Sequence, residues 1–168
     1  MNIMEHDVVK DFEVSLFTEQ FFFNNKQQEY RINRAWNIDK TKKENQFEYL
    51  MAFDSALCLF RAMFLERSSK NYTYQNYFIK IEKQEVATAI DDYLNSPFDC
   101  TGTSIRNVLK FIADKFVCHV DSITSINLGM ANAWMSSLGN PFFENNLINI
   151  VTKLNRIMLS EEGTIADS

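Results

Sequence analysis

ENQFEYLMAFDSALCLFRAMFLER, residues Glu44 to Arg67, carries one stripe at helical spacing. It runs through Phe47, Leu50, Met51, Asp54, Leu57, Cys58, Arg61, Phe64 and Leu65. Ala, Leu and Met favour the helix throughout the stretch. Such a stripe is expected to face a core, which makes the chain helical. Asp54 and Arg61 stand seven apart on nearly the same face. They read either as a core-facing ion pair that fixes helix register or as a polar network near a site, since buried charges generally need partners.

Outward from this stretch the pattern stays helical. Asp7 to Gln20 is amphipathic through Val8, Phe12, Leu16 and Phe17, with no clear stop before Trp36. Ser68-Ser69-Lys70-Asn71 ends the central helix, and Tyr74 to Lys80 and Lys83 to Leu94 follow as two more. In the second of these Val86, Ala89, Ile90 and Tyr93 point inward, and Asn95-Ser96-Pro97 stops it. Ser104 is placed to cap a helix from about Ile105 to His119. Asp121 to Ile126 is a turn or irregular link, and Leu128 to Leu138 is helical. Asn140-Pro141 predicts the start of a last helix running to about Ser160. The expected architecture is an all-α bundle of five to six helices in a single domain, residues 1–160, with an acidic tail at 161–168.

Composition agrees with that reading. The chain has 168 residues, 46% hydrophobic, with 4 Gly and 2 Pro, too little turn chemistry for a many-stranded β-sandwich or barrel. A domain this long buries roughly 70% of its unfolded surface, enough to fold without a metal or disulfide. A net charge of −5 argues against a nucleic-acid coat protein but leaves room for a local basic groove. Cys58, Cys100 and Cys118 are an odd number with no C-x-x-C spacing. With no signal-like N-terminus and no long apolar run, the expectation is a cytoplasmic protein that does not cross a membrane.

The standard catalytic and metal constellations are missing from the sequence, so no metal and no cofactor are expected. What stands out is Ala113-Asp114-Lys115-Phe116-Val117-Cys118-His119. Lys115 and His119 are one helical turn apart, with Arg106 and Lys110 on a neighbouring stripe. Such a surface can hold a phosphate while His119 moves a proton. It equally describes a helix end with a cationic side chain near the last carbonyls. The basic stretch Lys26 to Lys43, with Tyr30 and Trp36 interleaved, reads as an RNA track or as a solvated connection. Phe21-Phe22-Phe23 and Phe142-Phe143 read as core or, if exposed, as a dimer or partner surface. Trp134 with Met130 and Met135 has the same two readings.

The string Asp114-Lys115-Phe116-Val117-Cys118-His119 resembles the signature of the HEPN superfamily (higher eukaryotes and prokaryotes nucleotide-binding), especially its abortive-infection-type members. There an Arg and a His are spaced as Arg-x(4–6)-His near a helix end. Phe53 to Phe64, with Asp54 and Arg61, resembles the core helix of that family. The resemblance covers about residues 44–160 and implies an up-and-down four-helix core and a homodimer. It also implies a component of a prokaryotic defence or toxin–antitoxin system acting on RNA, such as tRNA or mRNA. In an active version, a metal-independent endoribonuclease, His119 would be catalytic with Lys115 and Asp114 in support, and Arg106, Lys110 and Arg61 would bind RNA phosphate. The sequence departs from the pattern at Ala113, where the family places its Arg. Either a nearby cation substitutes or the ribonuclease site is degenerate. The other class of function is a non-catalytic helical module that binds a protein partner of the same system, as an adaptor, antitoxin or regulator.

Overall fold

The computed structural model describes residues 3–66, 68, 71–114 and 125–159. Among these it places seven α-helices: α1 (Ile3–Asn37), α2 (Gln46–Phe60), α3 (Tyr74–Lys80), α4 (Gln84–Asn95), α5 (Ile105–Ile112), α6 (Ser125–Leu138) and α7 (Leu147–Leu159). A 3-10 turn, Lys43–Asn45, leads into α2, and a π-helical turn, Arg61–Leu65, follows it. The β-type pairing among the described residues is one isolated bridge between Pro97 and Ser104. The protein is all-α, with one helix more than the five or six expected. The expected acidic tail lies outside the described residues.

Helix α1 is one uninterrupted rod because residues 3–37 contain neither Gly nor Pro to break it. Among its described side chains the buried ones are Phe17, Phe21, Asn24, Gln28, Ile32 and Ala35, a stripe repeating about once per turn. Against it α2 turns Ala52, Phe53, Ala56, Leu57 and Phe60. The two alanines allow close approach: Gln28 Nε2 reaches the Ala56 carbonyl at 3.5 Å and Arg31 Nη1 donates to the Ser55 carbonyl at 3.1 Å. With Arg34 beside Glu48, these contacts make the two helices antiparallel.

This docking corrects the stripe expected on α2. Phe47, Leu50 and Met51 are 74, 46 and 57% exposed. Both flanks of α2 are apolar, and periodicity cannot say which one meets α1. The flank with alanines won, because it lets the helix backbones come closer together. The core centres on aromatic contacts joining α1, α3 and the π-helical turn. Phe21 stacks on Tyr77 with ring centroids 4.3 Å apart, and Phe64 meets Tyr74 edge-on at 4.6 Å.

Side-chain caps set two helix starts. Thr73 Oγ1 accepts from the Asn76 amide at 3.2 Å and Ser104 Oγ from the Asn107 amide at 3.2 Å. Ser104→Ala is expected to cost about 1 kcal/mol of unfolding free energy, the usual loss for such a cap, read by urea titration. The last helix starts later than Asn140-Pro141 predicts. Asn140 Oδ1 accepts from the Phe142 amide at 2.9 Å, which makes a turn. Buried Asn146, whose Oδ1 accepts from the Asn149 amide at 2.9 Å, does the capping instead. Between them Phe143 packs on Phe98 at 5.2 Å, while Phe142 is 95% exposed.

Candidate functional site at the junction of the π-helical turn and α5

The end of α2 and the end of α5 meet through charge. Arg61, first residue of the π-helical turn, donates from Nε to Asp114 Oδ1 at 2.5 Å, and its Nη1 pairs with Glu66. The Arg61 and Asp114 side chains are both about a quarter exposed. Arg61 does not turn to Asp54. Two helical turns separate those residues by about 10 Å along the axis, whereas Glu66 and Asp114 lie within reach. Asp54 sits half-buried, and burial pushes its carboxyl above the ordinary carboxylate range.

Ala113 is 1% exposed and faces the core. Asp114 thus presents the ionisable group at this end of α5, and Arg61 is the cation brought to it. With Glu66 the three groups carry a formal charge of −1, so the guanidinium is compensated before any anion arrives. Lys110, exposed and one turn before Asp114, adds a positive charge on the same flank. Lys115 and His119 lie outside the described residues, as do Phe116 and Cys118. Of the cysteines that are described, Cys58 and Cys100 are unbridged.

Arg106 belongs elsewhere. Expected on a phosphate-binding surface, it points inward with Ile105, Val108 and Leu109 and is 6% exposed. Its Nε donates to Asn95 Oδ1 at 3.3 Å, Nη1 donates to the Phe64 carbonyl at 3.4 Å, and Nη2 pairs with Asp91. Gln75 Nε2 also donates to the Phe64 carbonyl, at 3.0 Å, and to Asp91 Oδ1, at 3.1 Å. The Phe64 carbonyl comes free where the π-helical turn ends and intrahelical bonding stops, so two side chains satisfy it. This interior network is a clasp between the π-helical turn, α3, α4 and α5. Sequence reasoning missed Glu66, Gln75, Asp91 and Asn95, which no motif marks.

Several hollows lie along α1. One, of about 440 Å³, lies between α1 and α2 and is lined by Gln27, Tyr30, Arg31, Arg34, Met51 and Ser55, among others. It includes part of the basic stretch; Arg34 pairs there with Glu48 at 3.5 Å, both side chains more than half exposed. Another, of about 500 Å³, is lined by Leu16, Glu19, Gln20, Phe23 and Tyr72. Trp134 is buried and donates from Nε1 to Asp99 Oδ2 at 3.2 Å, which makes it core rather than partner surface. No group of three or more His, Cys, Asp or Glu able to hold a metal occurs among the described residues.

Fold and junction define an all-α helical protein in which, among the described residues, no helix is long and apolar enough to cross a membrane. No family model, no curated protein and no solved structure matches the chain.

Proposed function

We propose that the chain is a HEPN-like, cytoplasmic, homodimeric component of a prokaryotic defence or toxin–antitoxin system, that it engages RNA at the end of α5, and that its ribonuclease site is degenerate. One observation carries this reading: the 2.5 Å contact between Arg61 and Asp114 joins the two segments that resemble the family, 53 residues apart in the chain. His119 follows on the same segment, five residues after Asp114. Arg61 stands next to the missing arginine in space but does not replace it in charge, because Asp114 and Glu66 compensate it. A preorganised cation aimed at developing phosphoryl charge is worth about 10²–10³ in rate, and that contribution is lost here. Lys110 and Lys115 keep the capacity to bind phosphate without it.

The test is RNA binding and cleavage by the purified chain in EDTA. Wild type is expected to shift tRNA or total RNA in a gel, less so as salt rises, with cleavage no faster than that of His119→Ala. Lys110→Glu is expected to weaken the shift about tenfold, roughly 1.4 kcal/mol. Cleavage by wild type alone would reveal a working centre and overturn the degenerate site. A folded protein that binds no RNA would overturn the reading as a whole. The non-catalytic module for a protein partner is the second reading, favoured by exposed Phe47, Leu50 and Met51 on α2.

A further inference from the structure

The hollow between α1 and α2 has a charged floor and a mixed rim. Arg31 and Ser55, both half-buried, lie at its base beside buried Ala52. Arg31 Nη1 donates to the Ser55 carbonyl at 3.1 Å, so the guanidinium spans from one helix to the other. That partner is neutral and takes only part of the guanidinium's hydrogen-bonding capacity, which leaves the positive charge available. The rim is open: Tyr30 is 63% exposed and Met51 57%, one from each helix. Arg34, one turn beyond Arg31 on the same face of α1, meets Glu48 across the rim at 3.5 Å.

We infer that this hollow binds a small molecule with a planar aromatic body and a single carboxylate. The carboxylate goes to the floor, where Arg31 is already held in place and Arg34 stands one turn away to join it. Glu48 is the competing carboxylate. Its pair with Arg34 is long, both side chains are more than half exposed, and such pairs hold weakly. The aromatic body lies between Tyr30 and Met51, since rings stack on tyrosine and thioether sulfur favours ring edges. Two arginines against one glutamate leave an excess of one positive charge, which matches a monoanion better than a phosphate dianion. A volume of about 440 Å³ falls within the range of small-molecule sites. An RNA strand crossing the rim would bring further phosphates against Glu48, whereas a single anionic end avoids it. The site belongs to α1 and α2, apart from the end of α5, and it stands or falls without the RNA reading.

Calorimetric titration of the full chain with naphthoate tests it, with the neutral amide of the same ring, adenosine monophosphate and tRNA as comparison ligands. Naphthoate is expected to bind at a single site with a Kd of about 0.1 mM, the scale for a ligand of about a dozen heavy atoms. The amide is expected to bind about tenfold more weakly, for want of charge-assisted hydrogen bonds. Arg34→Gln and Tyr30→Ala, both at exposed positions, are each expected to weaken naphthoate about fivefold with unchanged circular dichroism. Glu48→Gln is expected to tighten it about threefold by removing the competitor, a gain that no loss of structure produces. An absence of saturable naphthoate binding at millimolar concentrations would overturn the site. Equal binding of the amide would overturn the role of the arginines, and an unchanged Glu48→Gln variant would overturn the competition. Tighter binding of adenosine monophosphate than of naphthoate would overturn the choice of a monoanion. Displacement of naphthoate by tRNA would overturn the small-molecule occupant and assign the hollow to RNA.

Discussion

Phe64→Ala is expected to lower the unfolding free energy by about 4 kcal/mol, within the usual range for deleting a buried aromatic ring. The ring has no exposed surface and lies between Phe60, at 4.7 Å, and Tyr74, at 4.6 Å. Its ring neighbours belong to two separate helices, α2 and α3, so they cannot readily collapse together into the space it leaves. Total stabilities run at about 5–15 kcal/mol, so this loss takes a large share. The melting temperature should fall by about 10 °C at this chain length. Urea titration should show an earlier midpoint with an unchanged slope. A loss below about 1 kcal/mol would mean that the turn after α2 repacks and is not a fixed part of the core.

Arg106→Ala is expected to cost about 3 kcal/mol, for a different reason. Beyond the lost packing of a buried side chain, the change leaves acceptors without their donor. The Phe64 carbonyl keeps only Gln75 as a side-chain donor, Asn95 loses its guanidinium contact, and Asp91 loses its cation. Breaking a buried pair from one side costs about 3–5 kcal/mol because the remaining charge is uncompensated. The Asp91 side chain is 51% exposed and can be rehydrated, which puts the expectation at the low end. A cycle with Asp91→Asn separates the contributions: Arg106→Met should cost less in the Asp91→Asn background than in wild type. Equal costs would place the role of Arg106 in its contacts to Phe64 and Asn95 rather than in the ion pair.

These two residues also mark how far the sequence can be read. The helices α3, α4 and the start of α5 follow from local rules: apolar spacing, a serine cap, and a proline after α4. The facing of α2 does not, because Phe47-Leu50-Met51 and Ala52-Ala56 are rival flanks of one apolar helix. Only the presence of α1 decides between them. The start of α7 was misread because Asn-Pro favours a tight turn as readily as a helix start, and Asn146 carried no signal beyond being another asparagine. At the site, Arg61 and Asp114 were each legible as charged residues in apolar surroundings. Their contact depends on packing between the π-helical turn and α5, and no spacing rule encodes it. Arg106 was misplaced for a related reason. Arginine is exposed by default, and the interior partners that reverse the default come from two other segments, the π-helical turn and α4.

The burial of Ala113 limits what mutation can do at that position. With 1% of its surface exposed, the site has room for little more than a methyl group. An arginine arriving there would have to force aside core packing or bring an uncompensated charge inside, and either would destabilise the fold at once. Small side chains such as glycine, serine or cysteine can drift through the position, and large ones are screened out before any effect on activity is felt. A lineage carrying this packing therefore has no single-step route to an arginine beside Asp114. Any gain of positive charge at the end of α5 must come from residues that already face solvent, with Lys110 the nearest of them in the described chain.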